Sequence, residues 1–143
     1  MGRNGRGSDR KDRWTVSTAA QGKTMVPAIT LSDGNAIAQI GLGVLRIGDE
    51  QTTGVVESAI AQGYRHIDGA AGYGNESGLG RALTQTGFNH GDERSSMWIT
   101  TKVRDSEQGC DSPLRSFDRQ IGLLLLDYVD MYTIHWPTPL NWS

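Results

Sequence analysis

The 143-residue sequence predicts an α/β fold in which a hairpin leads into a parallel sheet covered by helices. Three observations predict it. From Met25 onward, short apolar runs alternate with amphipathic stretches of helical period. The repeat length is close to the roughly 30 residues of one strand–helix step. Three ionisable residues also fall at or near the carboxyl ends of successive strands: Asp68 precedes Lys102 by 34 residues, and Lys102 precedes His135 by 33.

The elements follow in order. Two apolar runs around Asp33-Gly34 give the hairpin, because a central Asp-Gly accepts the left-handed backbone that a tight turn demands. Residues 39–44 form a short buried strand. Asp49 then caps a helix over 50–62 that turns Val55, Val56, Ala59 and Ile60 to one face, and Gly63 ends it. Residues 64–68 are the next strand. Residues 75–86 are a helix with Leu79 and Leu83 four apart, ending at Gly87. Residues 97–103 are a third strand, and 112–126 a helix with Pro113 in its first turn. Residues 127–136 are the fourth strand. Alternation of this kind places helices outside a parallel sheet, and such folds concentrate chemistry at the carboxyl ends of the strands.

Composition divides the chain in two. Residues 1–24 carry six Lys or Arg against two Asp or Glu, while 25–143 carry eight basic and 14 acidic residues. The first stretch has one large apolar side chain, Trp14, so it reads as a disordered basic extension. Its basic residues are interspersed with Asp9 and Asp12, so no nucleic-acid partner is expected. Residues 25–143 form the folded domain. An apolar run of secretory or membrane-spanning length is missing, so no membrane partner is expected. The single cysteine, Cys110, excludes an internal disulfide framework and fits a reducing cytoplasm. His66, His90, His135 and Cys110 lack metal-ligand spacing, and no metal is expected.

The stretch 66–76, HIDGAAGYGNE, raises the question of a phosphate cradle. Gly72, Gly74 and Gly78 give a loose version of the dinucleotide fingerprint, and Gly41, Gly43 and Gly48 miss it. The acid that should hold a ribose about 20 residues later is misplaced, since Asp92 and Glu93 precede the next strand. A proton-transfer reading uses more of the sequence. A phenol donates protons poorly at neutral pH, and a neighbouring ammonium favours its ionised form. Asp68, Tyr73 and Lys102 can assemble such a set at adjacent strand ends, with His135 placed to orient a carbonyl oxygen or pass a proton. Each residue also has a plainer role: a loop-bracing acid, a packing phenol, a solvated lysine, a core histidine. Their joint placement at nearly constant spacing favours chemistry.

The segments GYRHIDGAAGYGNE, ITTK and DYVDMYTIHWPTP resemble the signature segments of the aldo-keto reductases, and VPAITLSDGNAIAQIGLGV matches as well. The nearest likeness is to the bacterial branch that includes 2,5-diketo-gluconate reductases. The resemblance implies that Tyr73 is the general acid, that Lys102 assists its ionisation, that Asp68 pairs with Lys102, and that His135 orients the carbonyl. It also implies NADPH as hydride source, with Val44 and Asp68 beside the cofactor and Arg104 and Trp136 in the substrate pocket. Two departures follow. Gly69 stands where the family usually has threonine, which predicts a looser Tyr73 loop. Arg104 stands where a tryptophan usually walls the pocket, which predicts either an anionic substrate or a poorly formed pocket.

By the same resemblance the fold is the N-terminal half of a (β/α)8 TIM barrel, incomplete: a hairpin and four strands with three intervening helices. A whole barrel needs ~250 residues. The expectation is therefore an NADPH-dependent reductase of small aldehydes or ketones, present as a truncated and inactive fragment. Two rivals stand beside it. One is a non-catalytic half-barrel that self-associates through its exposed edges. The other is a small Rossmann-type nucleotide binder.

Overall fold

The computed structural model describes residues 26–138. The extension read over 1–24 lies outside the described residues. Strands β1 (Ala28–Thr30) and β2 (Ala36–Ala38) form the antiparallel hairpin, with Ile29 opposite Ile37. Its turn places Gly34 at φ +88, the left-handed backbone that Asp-Gly foretold.

The main sheet runs β3 (Leu42–Gly43), β4 (His66–Asp68), β5 (Trp98–Val103) and β6 (Met131–Ile134), all neighbours parallel. Its spatial order is the chain order, with no reversal. A Rossmann site sits where strand order reverses, and the described residues offer the nucleotide-binder reading no such point. Helices α1 (Asp49–Ala61), α2 (Glu76–Thr86) and α4 (Ser112–Leu124) connect the strands. A one-turn helix, α3 (Gly91–Arg94), occupies a stretch that reads in sequence as a polar loop.

The core lies between the sheet and the helices, built from Val44, Val56, Ile60, Ile67, Leu79, Leu83, Ile99 and Leu124 among others. Successive strand residues face opposite ways. On β5, Ile99, Thr101 and Val103 are buried, and Thr101 bonds to residues of α2 and α4, while Lys102 reaches Asp68 and Tyr73 instead.

Four local expectations change. Asp49 does not cap α1, since Gly48 holds that position without a side-chain cap. Asp49 Oδ1 accepts from the Gly78 amide of α2 at 2.7 Å, and Oδ2 pairs with Arg81 at 2.9 Å. Burial opposes its ionisation, but Arg81 and the Gly78 N–H outweigh that and hold the carboxyl below its ordinary value. Val55 is 38% exposed and leaves the buried face to Val56, Ala59 and Ile60. The strand expected over 39–44 contracts to two residues, paired with β4 alone among the described residues. The strand expected from 127 starts at Met131, because the Asp130 side chain takes the Ile99 amide at 2.8 Å.

Two glycines just after HIDGAAGYGNE, Gly78 and Gly80, also find their reason. A Cβ on Gly78 would lie 2.1 Å from the Asp49 carbonyl oxygen, and one on Gly80 would lie 2.5 Å from that of Leu123. They let α2 approach α1 and α4 at backbone contact. No phosphate is needed to explain them.

Candidate active site

The carboxyl edge of the sheet gathers the three residues that sequence spacing singles out, together with Tyr73. Asp68 ends β4, Lys102 stands one residue from the end of β5, and His135 follows β6. Tyr73 is carried by a 3-10 turn, Ala71–Tyr73, between β4 and α2. Parallel pairing of β4 with β5 brings Lys102 to Asp68, whose Oδ1 accepts from Nζ at 2.7 Å. The same ammonium donates to the Gly69 carbonyl at 2.8 Å and to Tyr73 Oη at 3.4 Å, and lies 5.2 Å from the Tyr73 ring centroid. All three lysine donors are thereby engaged.

His135 meets Tyr73 edge to face, with ring centroids 5.4 Å apart. Gly72 makes room for it: a Cβ there would come within 3.3 Å of the imidazole. Trp136 stacks beyond His135 at 6.3 Å and is exposed. Together Gly72, Arg104, Asp105, Ser106, His135 and Trp136 line an open cavity of about 340 Å³.

Three expectations are refined by this geometry. Val44 is 0% exposed, its amide donates to the Asp68 carbonyl at 3.2 Å, and its carbonyl accepts from Asn75 Nδ2 at 2.8 Å. It therefore has no free surface for a cofactor and supports the site from behind. Gly69 is not loose. It is buried, its amide donates to the Thr100 carbonyl at 2.8 Å, and its own carbonyl is held by Lys102. Arg104 does reach the cavity, but it also braces the Tyr73 turn, its Nε donating to the Ala71 carbonyl at 2.9 Å.

Gly69 has ordinary backbone, and an added Cβ would sit 3.5 Å from the Thr100 oxygen and 3.6 Å from a Leu79 methyl, both normal contacts. Gly69→Ala should therefore stabilise the chain by ~0.4–1 kcal/mol through the unfolded state. Urea unfolding checks this, and a loss of stability would contradict it.

Sequence reasoning missed Asn75. It is 1% exposed, and its Nδ2 also donates to the Ile47 carbonyl at 2.9 Å, tying the β3–α1 loop to the Tyr73 loop. Its place two residues after the candidate acid was the only available hint. Among the described residues no group of three or more His, Cys, Asp or Glu is placed to hold a metal ion, and no helix is long and apolar enough to cross a membrane.

The sequence profile of the Aldo/keto reductase family matches residues 37–141. The chain belongs to that family. Similar members include an aldo-keto reductase of Mycobacterium sp. (strain KMS), 47% identical over 79% of this chain and 40% of its own length. Morphine 6-dehydrogenase of Pseudomonas putida is 42% identical over 82% of this chain and 38% of its own length. Among solved structures, an aldo/keto reductase of Brucella melitensis superposes with a TM-score of 0.74 at 45% identity, covering 80% of this chain and 42% of that one. The Bombyx mori aldo-keto reductase in complex with NADP also gives 0.74, at 31% identity, covering 82% of this chain and 43% of that one. The chain thus spans about 40% of the length of the curated family members it matches. Its sheet and helices are part of a (β/α) barrel of the family's TIM type.

Proposed function

We propose that this chain carries the proton-donor corner of an NADPH-dependent reductase of small carbonyl compounds. One observation carries the reading: a single ammonium joins a carboxylate, a phenol and a loop carbonyl at a strand end, with an imidazole against the phenol. Tyr73 is the general acid. Lys102 supplies positive charge where the phenolate develops, Asp68 keeps Lys102 charged and aimed, and His135 orients the carbonyl oxygen.

NADPH, when bound, supplies the hydride. Lys102 has no donor left for a phosphate, which supports its role as partner of the acid. The Asp68 side chain is 36% exposed and retains acceptor capacity for a neutral hydroxyl or amide. That suits the nicotinamide end of the cofactor and opposes a phosphate. Trp136 and Arg104 wall the substrate cavity. No carboxylate lies within ion-pair distance of Arg104 among the described residues, which favours a carbonyl substrate that is itself anionic.

Titration with NADPH, followed by nicotinamide fluorescence and carbonyl-dependent NADPH oxidation, tests the proposal. Saturable binding with turnover that Tyr73→Phe lowers by ~10²–10⁴ is the expected result. A folded chain that neither binds NADPH nor turns over would sink it for this chain.

A second reading, an association module, is favoured by the open edges. Among the described residues β3 and β6 each have one neighbour, and Ile40, Ile134 and Trp136 are exposed beside them. Such edges accept further strands, from the rest of a barrel or from another copy.

A further inference from the structure

Behind the candidate site a buried hydrogen-bond chain links α2, β5, α4 and β6. Counting its protons decides the state of one carboxyl. Glu107 forms an ion pair with Arg119, so it is ionised and can only accept. Ser116 Oγ lies 2.6 Å from Glu107 Oε2, and its one hydroxyl proton goes there. Ser116 is then an acceptor towards Gln120, which presents Nε2 at 3.0 Å. This turns Gln120 Oε1 to Thr101 Oγ1 at 2.8 Å, where it competes for the only hydroxyl proton of Thr101. Glu76 Oε1 lies 2.7 Å from the same Thr101 oxygen. With Glu76 ionised, two acceptors compete for that one proton and one of them faces a lone pair. A protonated carboxyl donates and completes the chain.

We propose that Glu76 is held as a neutral carboxylic acid donating to Thr101, and that this bond makes it a positioning residue for Tyr73 and Lys102. Glu76 opens α2 three residues after Tyr73, and Thr101 precedes Lys102 on β5. The bond therefore ties the helix that follows the acid to the outer face of β5, level with Lys102 on the inner face. The positioning part rests on the catalytic reading of that pair; the protonation state does not.

The surroundings agree. Glu76 is 4% exposed, and burial pushes its carboxyl above the ordinary range against the pull of Thr101 and Arg104, with Glu107 adding to the rise. The charged or titratable groups around it are Arg104 and Glu107 beyond β5, Arg119 on α4 and Tyr132 on β6. Asp49 of α1 bonds the Gly78 amide two residues on. Burial raises Tyr132 as well, so it stays a neutral phenol that accepts from Gln120 Nε2 at 3.1 Å. Because the folded chain holds the Glu76 proton more tightly than the unfolded chain, the stability it brings is complete below about pH 4. It is lost as pH rises through the folded value.

The test is the side-chain carboxyl carbon of Glu76, followed by NMR in the full chain from about pH 4 to about pH 9 after assignment through its own backbone. The expected result is a protonated shift at neutral pH, with Tyr73 and Lys102 side-chain signals moving at the same midpoint as Glu76. An ionised shift at neutral pH overturns the proposal. A protonated Glu76 with unresponsive Tyr73 and Lys102 signals overturns the positioning role. Glu76→Gln, neutral at every pH, should abolish the alkaline loss of stability; persistence of that loss also counts against the proposal. Should Tyr73→Phe leave turnover intact, the catalytic reading fails while the titration still decides the state of Glu76.

Discussion

Lys102→Met is expected to lower carbonyl-dependent NADPH oxidation by ~10²–10⁴ while leaving NADPH affinity within a few-fold. The substitution removes the ammonium in contact with Tyr73 Oη and leaves the Asp68 carboxylate without its partner at 2.7 Å. A carboxylate without its counter-charge beside a phenol opposes phenolate formation, so the site would lose an attraction and acquire a repulsion. The cost in stability should be small, because the pair is partly solvated and such pairs contribute ~0–1 kcal/mol. Lys102→Arg should recover only part of the loss: the charge remains, but a planar fork cannot serve Asp68, Gly69 and Tyr73 from one nitrogen. Single-turnover rates at saturating NADPH separate chemistry from binding. Turnover of Lys102→Met within ten-fold of the parent would remove Lys102 from the mechanism.

Arg94→Leu should destabilise the fold by ~3–5 kcal/mol, a large part of the ~5–15 kcal/mol a domain has. Arg94 is 3% exposed, pairs with Asp130 at 2.7 Å, and donates to the Met97 and Tyr128 carbonyls at 3.0 Å each. Its guanidinium also lies 4.0 Å from the Tyr128 ring centroid. Removing it strands a mostly buried carboxylate and two carbonyls where β5 and β6 begin. Much of the cost is that orphaned charge, so adding Asp130→Asn should recover part of it in a double-variant cycle. Urea unfolding reads both. A loss below ~1 kcal/mol would mean that solvent replaces the guanidinium with ease.

The contrast between these two residues explains what was legible in advance. Lys102 is found from sequence because its spacing from Asp68 and from His135 equals one strand–helix unit. Arg94 sits in a stretch of Asn, His, Gly, Asp, Glu and Ser that reads as a solvated loop. Nothing local marks an arginine as buried, because its burial depends on a carboxylate 36 residues away. Glu76 hides in the same manner. Its sequence position suggests a helix-opening acid, and only the packing of Thr101, Gln120 and Ser116 around it settles the count of protons.

The sequence by itself determined the hairpin, the order of strands and helices, and the placing of Asp68, Lys102 and His135 at or near successive strand ends. Those features rest on local periodicity and on the near-constant length of a repeating unit, both of which are written along the chain. Tertiary structure alone decided that Val44 is walled in, that Gly69 is held firm, and that Arg104, expected in the substrate pocket, also braces the Tyr73 turn. It also gave Gly72 its work as space for His135, and Gly78 and Gly80 theirs as helix contacts. Burial, proton counts and backbone approach are properties of groups far apart in sequence, so no window along the chain contains them.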